Sequence, residues 1–160
     1  MKQKLIDELL QCLKMIEHHH STFSLPSKGF EKKMNLKSTN HYFLVDVNRK
    51  GIKKHQFTLQ LRSASYKDYP LIRLDITGPP HLNPEGDFRY AGELIPCPHI
   101  HIAEEKYAAK RAYPLNDNYA KMYLTNDQLK NLVEILKAFL EYCNVGNIDD
   151  VDFQAQNELF

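Results

Sequence analysis

The sequence predicts an α+β fold: an antiparallel meander sheet of four or five strands, with an N-terminal and a C-terminal helix packed on one face. Three observations carry this expectation. Apolar residues recur at helical spacing near both ends, they alternate with period two in the middle, and turn-forming residues separate the alternating runs. With 160 residues and no long Pro/Gly/Ser linker, a single domain spanning 1–160 is expected, its tail at 147–160 loosely docked.

The first element covers Lys2 to Glu17, where Leu5, Ile6, Leu9, Leu13 and Ile16 form an apolar stripe between charged residues. His18, His19 and His20 follow and read as a frayed helix end. The segment SLPSKGFEKK carries turn residues at Pro26, Ser27 and Gly29 and reads as a connector. In HYFLVDVN, Phe43, Val45 and Val47 alternate with Tyr42, Leu44 and Asp46, and KHQFTLQLRS repeats the pattern with Phe57, Leu59 and Leu61 against Gln56, Thr58, Gln60 and Arg62. The Asn48 to Gly51 turn between them makes a hairpin the economical reading. PLIRLDITG then sets Ile72, Leu74 and Ile76 against Arg73, Asp75 and Thr77, and CPHIHIAE sets Ile100 and Ile102 against His99, His101 and Ala103. AKRAYPL offers a short fifth strand. From Thr125 a capping box, T-N-D-Q, opens a core helix of about 18 residues that ends near Asn144 and Gly146.

Composition narrows the function classes. Twenty-one basic and 20 acidic residues leave a net charge of +1, so no global field draws the chain to nucleic acid or an anionic membrane, and phosphate recognition must be local. Cys12, Cys97 and Cys143 are odd in number and far apart, which disfavours a disulfide scaffold and a structural zinc site and suits reduced thiols in a cytoplasm. The N-terminal residues lack the apolar core of a signal peptide, and no run is long and apolar enough to span a bilayer. No cofactor is expected.

Chemistry concentrates between Leu71 and Glu104. The loop from Gly78 to Pro96 holds four prolines and three glycines in 19 residues, longer than most structureless connections and therefore a candidate functional loop. If the apolar sides of its two flanking strands face the helices, Arg73, Asp75, His99 and His101 share the opposite, solvent-facing side; Arg62 extends that patch, and His81 and Asn83 can fold over it. Two histidines at i and i+2 on a strand project together, with Cα atoms roughly 6 to 7 Å apart.

Three readings follow, beside a fourth in which these are ordinary strand residues. The polar face and loop bind a small anionic ligand, nucleic acid or a protein partner through Arg73, Asp75, His81, Asn83 and Arg62. Alternatively, His99 and His101 act as general base and acid, with Arg73 neutralising phosphate, in a metal-independent phosphodiesterase or ribonuclease. In a metal-dependent hydrolase, His99 and His101 join His81 or Asp75 and leave a coordination position for water.

The stretch RLDITGPPHLNPEG, then IPCPHIHIAEE, then AYPL, resembles a family of small uncharacterised bacterial proteins with a GPPH-x-N-x-[DE]-G strand end followed by PH-x-HI. Arg73, Asp75, Gly78, His81, Asn83, Gly86, His99 and His101 match that pattern, whereas Ala103 stands where members carry tyrosine. The resemblance implies a site without naming its chemistry, and suggests a mobile-element setting such as defence or a toxin and antitoxin pair. The histidine-triad nucleotide hydrolases are disfavoured, because their third alternating histidine is replaced by Ala103.

Overall fold

A computed structural model of the chain describes residues 1–17, 22–51 and 56–155. The histidines at 18–20, Lys54 and His55 of the expected second strand, and Leu159 and Phe160 of the tail lie outside the described residues. The architecture is α+β, with two α-helices and a seven-stranded antiparallel sheet.

In chain order the elements are α1 (Gln3–Gln11), β1 (Met15–Ile16), β2 (Thr22–Ser24), β3 (Glu31–Lys37), β4 (Tyr42–Asn48), β5 (Phe57–Ser63) and β6 (Pro70–Thr77). They continue with β7 (His81–Leu82), β8 (Leu94–Ile95), β9 (His99–Ile102), β10 (Ala112–Pro114), α2 (Leu132–Tyr142) and β11 (Asp152–Gln154). The large sheet runs β1-β3-β4-β5-β6-β9-β10. The long loop carries its own small ribbon, β7 paired antiparallel with β8. Beyond the sheet, β11 pairs in parallel with β2, and Phe153 of the tail is buried.

The four strands expected from alternation are β4, β5, β6 and β9, the short fifth offered by AKRAYPL is β10, and the sheet gains two more. β3 occupies part of what reads as a connector. It pairs with β4 along its whole length, although only Met34 and Leu36 are buried while its lysines stay exposed. β1 replaces the last turn of the expected first helix. The chain leaves the helix at Cys12, whose ψ of 145° is extended, so Leu13 is exposed and Ile16 is buried as a strand residue paired with Leu36.

Lys14 explains the departure. Its side chain is fully buried and its Nζ donates to the carbonyls of Leu10, Cys12 and Cys143 at 3.0 to 3.2 Å. One ammonium thus satisfies carbonyls that helix ends leave without partners. At the other helix the capping box forms, with Gln128 N–H donating to Thr125 Oγ1 at 3.1 Å and Thr125 N–H to Gln128 Oε1 at 2.8 Å. It opens a 3-10 turn over Gln128–Lys130 rather than the α-helix. The α-helix begins after Asn131, whose side chain accepts from Glu134 N–H, and is shorter than expected.

Ile6 and Leu9 of α1 and Leu132, Ile135, Leu136, Phe139 and Leu140 of α2 join one apolar cluster with Val45, Leu59, Leu61, Leu74 and Ile100 from the sheet. No helix among the described residues is long and apolar enough to cross a membrane.

Candidate functional site

The site lies where β5, β6 and β9 run side by side. Register places Arg73 opposite His101 and Asp75 opposite His99. On the other side of β6, Thr58 pairs with Asp75 and Gln60 with Arg73, and a register shift between Phe57 and Thr58 brings Thr58 into that position. The alternating pleat then turns these side chains to one face.

That face does not meet water at the site, contrary to the expectation from alternation. His99, His101 and Asp75 are only 2%, 5% and 7% exposed. The strand-to-strand loop folds back as the β7–β8 ribbon, and His81 crosses over His101 edge to face, with ring centroids 4.7 Å apart. His81 Nε2 donates to the Lys110 carbonyl at 2.7 Å, tying the ribbon to the segment before β10. A second tie is Asn83, whose amide donates to the carbonyls of Tyr90 and Ala112 and accepts from Ala112 N–H. Within the loop, Gly92 sits at φ 71°, and a Cβ there would lie 2.6 Å from Glu85 Oε1.

Under this cover lies a pocket of about 370 Å³, lined among others by Thr58, Arg73, Asp75, His81, His99 and His101. A polar groove of about 330 Å³ shares Gln56, Thr58 and Arg73 with it and continues to Asp46 and Arg62. The structure thus brings Arg73, Asp75, His81, His99 and His101 to one pocket. Asn83 is buried in the loop with its amide spent on backbone, and Arg62 lines the groove, held by Asp46 through Nε at 2.6 Å and Nη2 at 2.9 Å.

The hydrogen bonds define each group's state. Asp75 Oδ1 accepts from Thr58 Oγ1 at 3.0 Å and from Arg73 Nε at 2.9 Å. Asp75 Oδ2 faces His99 Nε2 at 3.0 Å and His101 Nε2 at 3.5 Å. The opposite ring nitrogens point at carbonyls: His99 Nδ1 at Ile95 O (3.1 Å) and Pro96 O (3.2 Å), and His101 Nδ1 at Ala109 O (2.9 Å). Burial pushes the Asp75 carboxyl up, but the His101 and His99 rings and the Arg73 guanidinium outweigh it and hold Asp75 well below the usual carboxylate range. Burial lowers the His81 imidazole, and the neighbouring rings of His101 and His99 add to that against the Lys110 carbonyl, so His81 is neutral near pH 7.

Cys97 lines the same pocket with its Sγ 3.7 Å from His99 Nδ1, yet burial, with the Asp75 charge, pushes its thiol up to about 11. It is a protonated thiol, not an activated nucleophile.

Thr58 was legible only as one member of a polar strand face, and the carbonyls of Ile95, Pro96, Ala109 and Lys110 have no signature in residue types at all.

No curated protein and no solved structure matches the chain. The model of a family of unknown function, DUF6978, matches residues 1–145, a span that holds both helices, the whole seven-stranded sheet and every residue of the pocket. The chain belongs to that family.

Proposed function

We infer that the chain is a binding protein whose covered pocket takes a small anionic ligand. The observation that carries this reading is the distribution of charge around the pocket. Among its described lining residues two cations, Arg73 and Lys110, stand against one carboxylate, Asp75. The charges are also unequally presented. The Arg73 side chain is 49% exposed, whereas that of Asp75 is 9% exposed and is spent on Thr58, Arg73 and the imidazoles. An entering ligand therefore meets the guanidinium first, and among the described residues Arg73 engages only its Nε, on Asp75, which leaves its Nη donors for an oxyanion.

The volume of about 370 Å³ suits a small molecule, near the lower end of ordinary ligand pockets. Recognition is favoured over metal-independent acid and base catalysis because His99 and His101 each have both ring nitrogens directed at protein atoms. A general base needs a nitrogen within reach of the substrate proton.

Calorimetric titration of the metal-stripped protein with inorganic phosphate, a nucleoside monophosphate and a dicarboxylate tests this reading. Binding of at least one at millimolar affinity or better, weakened tenfold or more by Arg73→Ala, is expected. Failure of all three, or affinity that Arg73→Ala leaves intact, overturns it.

A further inference from the structure

The carbonyl contacts of the two buried histidines have a chemical consequence. A carbonyl oxygen only accepts, so a neutral ring whose Nδ1 meets a carbonyl carries its one hydrogen there. His99 Nδ1 faces Ile95 O and Pro96 O, and His101 Nδ1 faces Ala109 O. In each neutral ring the lone pair is then on Nε2. Both Nε2 atoms point at Asp75 Oδ2, so two imidazole nitrogens and one carboxylate oxygen converge in a buried site.

Two arrangements satisfy a carbonyl at each Nδ1 and the shared carboxylate oxygen at each Nε2 together. Protonating both rings would place two imidazolium ions and the Arg73 guanidinium around a single buried carboxylate. Each uncompensated charge so buried is costly, by several kcal/mol per ion. A divalent metal ion supplies the same positive charge at one point and accepts all three lone pairs.

The two separations measured from Asp75 Oδ2 suit the second arrangement. Bonds of about 2.0 to 2.1 Å to nitrogen and oxygen put tetrahedral donor atoms about 3.3 Å apart and adjacent octahedral ones about 3 Å apart. The Asp75 Oδ2 separations are 3.0 and 3.5 Å, and the three donor atoms all lie within 4.8 Å of one another.

The surrounding hydrogen bonds are those of a built metal site. Both Nδ1–H groups are anchored on carbonyls, as metal-bound histidines are, and Asp75 keeps Thr58 and Arg73 on Oδ1 while Oδ2 faces the imidazoles.

We propose that Asp75 Oδ2, His99 Nε2 and His101 Nε2 bind a divalent transition-metal ion of the zinc and iron(II) class, with its remaining coordination directed into the pocket. Two imidazoles and one carboxylate are a donor set these ions favour, and three protein ligands leave at least one position for water or an anion. The convergent donor group is Asp75, His99 and His101, while His81 donates its Nε2–H to the Lys110 carbonyl and packs its ring against His101. The proposal stands apart from anion binding through Arg73, since a metal can load with no ligand present.

The test is titration of zinc(II), and of cobalt(II) as a spectroscopic reporter, into the chelator-stripped full chain without added anion. One equivalent is expected to bind. His99→Ala and His101→Ala should each weaken it at least 100-fold, and Asp75→Asn, which keeps the shape, should weaken it too. A variant with His18, His19 and His20 all changed to Ala should bind as the wild type does. Absence of stoichiometric binding overturns the proposal, as does binding that survives His99→Ala and is lost in the 18–20 variant. Nitrogen-15 NMR of the metal-free imidazoles guards against misfolded variants. Protonated Nδ1 with bare Nε2 in the wild type supports the geometry, and protonated Nε2 on both rings overturns it. Metal failure with retained phosphate binding leaves the anion reading standing, and the reverse result leaves the metal site standing.

Discussion

His99 sets its Nε2 3.0 Å from Asp75 Oδ2 while its Nδ1 lies 3.1 Å from the Ile95 carbonyl, and the proposed metal site requires the ring hydrogen on Nδ1 and the lone pair on Nε2. Asparagine at position 75 would keep an oxygen for Thr58 and Arg73 and offer an N–H₂ to the two Nε2 atoms. In metal-stripped protein Asp75→Asn is therefore expected to be as stable as wild type or more stable by about 1 kcal/mol. Asp75→Ala, which strands Thr58 and both rings, should lose about 1 to 3 kcal/mol. Denaturant midpoints at neutral pH check this, and equal losses in the two variants would sink the tautomer assignment.

Thr58 donates to Asp75 Oδ1 at 3.0 Å and so aims the other oxygen. Thr58→Val keeps the shape of the side chain and removes that bond. Metal affinity is expected to fall by about 10- to 100-fold while folding stability changes by only about 1 kcal/mol. Competition with a chelator of known affinity reads the first, and thermal melting of the metal-free protein reads the second.

Asn83 is 3% exposed and joins the loop to β10 through Ala112 N–H and carbonyl. Asn83→Ala leaves both of those backbone groups buried without their partner. A loss of about 2 to 4 kcal/mol is expected, at the usual 1 to 3 kcal/mol per orphaned group. Hydrogen exchange should show the loss of protection centred on 81–95 and 112; a uniform loss across the sheet would contradict a local tie.

Cys143 is fully buried at the end of α2, and burial pushes its thiol up to about 12, with the Lys14 ammonium opposing. An unfolded cysteine ionises near pH 8.5, so the folded state holds the proton longer. Its contribution to stability is complete below that pH and drains away as pH rises toward 12, by about 1.4 kcal/mol per pH unit. Burial lowers the Lys14 pKa, which acts in the opposite sense over the alkaline range. Comparing Cys143→Ala with wild type isolates the thiol: between pH 8.5 and 11 the variant should lose less stability. Parallel curves would show that the thiol does not contribute.

Lys14 spends its ammonium on three carbonyls in the core. Lys14→Met retains the stem and leaves those acceptors unmet, at an expected cost of about 2 to 4 kcal/mol. Urea unfolding measures it, and an unchanged midpoint would show that the carbonyls find other partners.

The four alternating runs are legible because the face a strand residue takes is a local property of the pleat: Phe43, Val45 and Val47 have to point together. β3 escaped notice because lysines fill its exposed positions and only Met34 and Leu36 mark its buried side. Leu13 and Ile16 continue the helical stripe past the true end of the first helix, while the reason to stop, a buried Lys14 on carbonyls of both helix ends, spans 129 residues of chain. The capping box at Thr125 points to a helix start one turn too early, because it forms but caps a 3-10 turn.

The sequence by itself determined that Arg73 and Asp75 share a strand face, as do His99 and His101, because a period of two is set by neighbouring residues alone. Only the tertiary structure decided that Asp75 stands opposite His99, that the 78–96 loop buries them, and that both Nε2 atoms turn onto one oxygen while each Nδ1 faces a carbonyl of Ile95 or Ala109. Strand register, burial and the choice of imidazole tautomer depend on partners distant in the chain, and the identity of a residue does not encode which carbonyl it will meet.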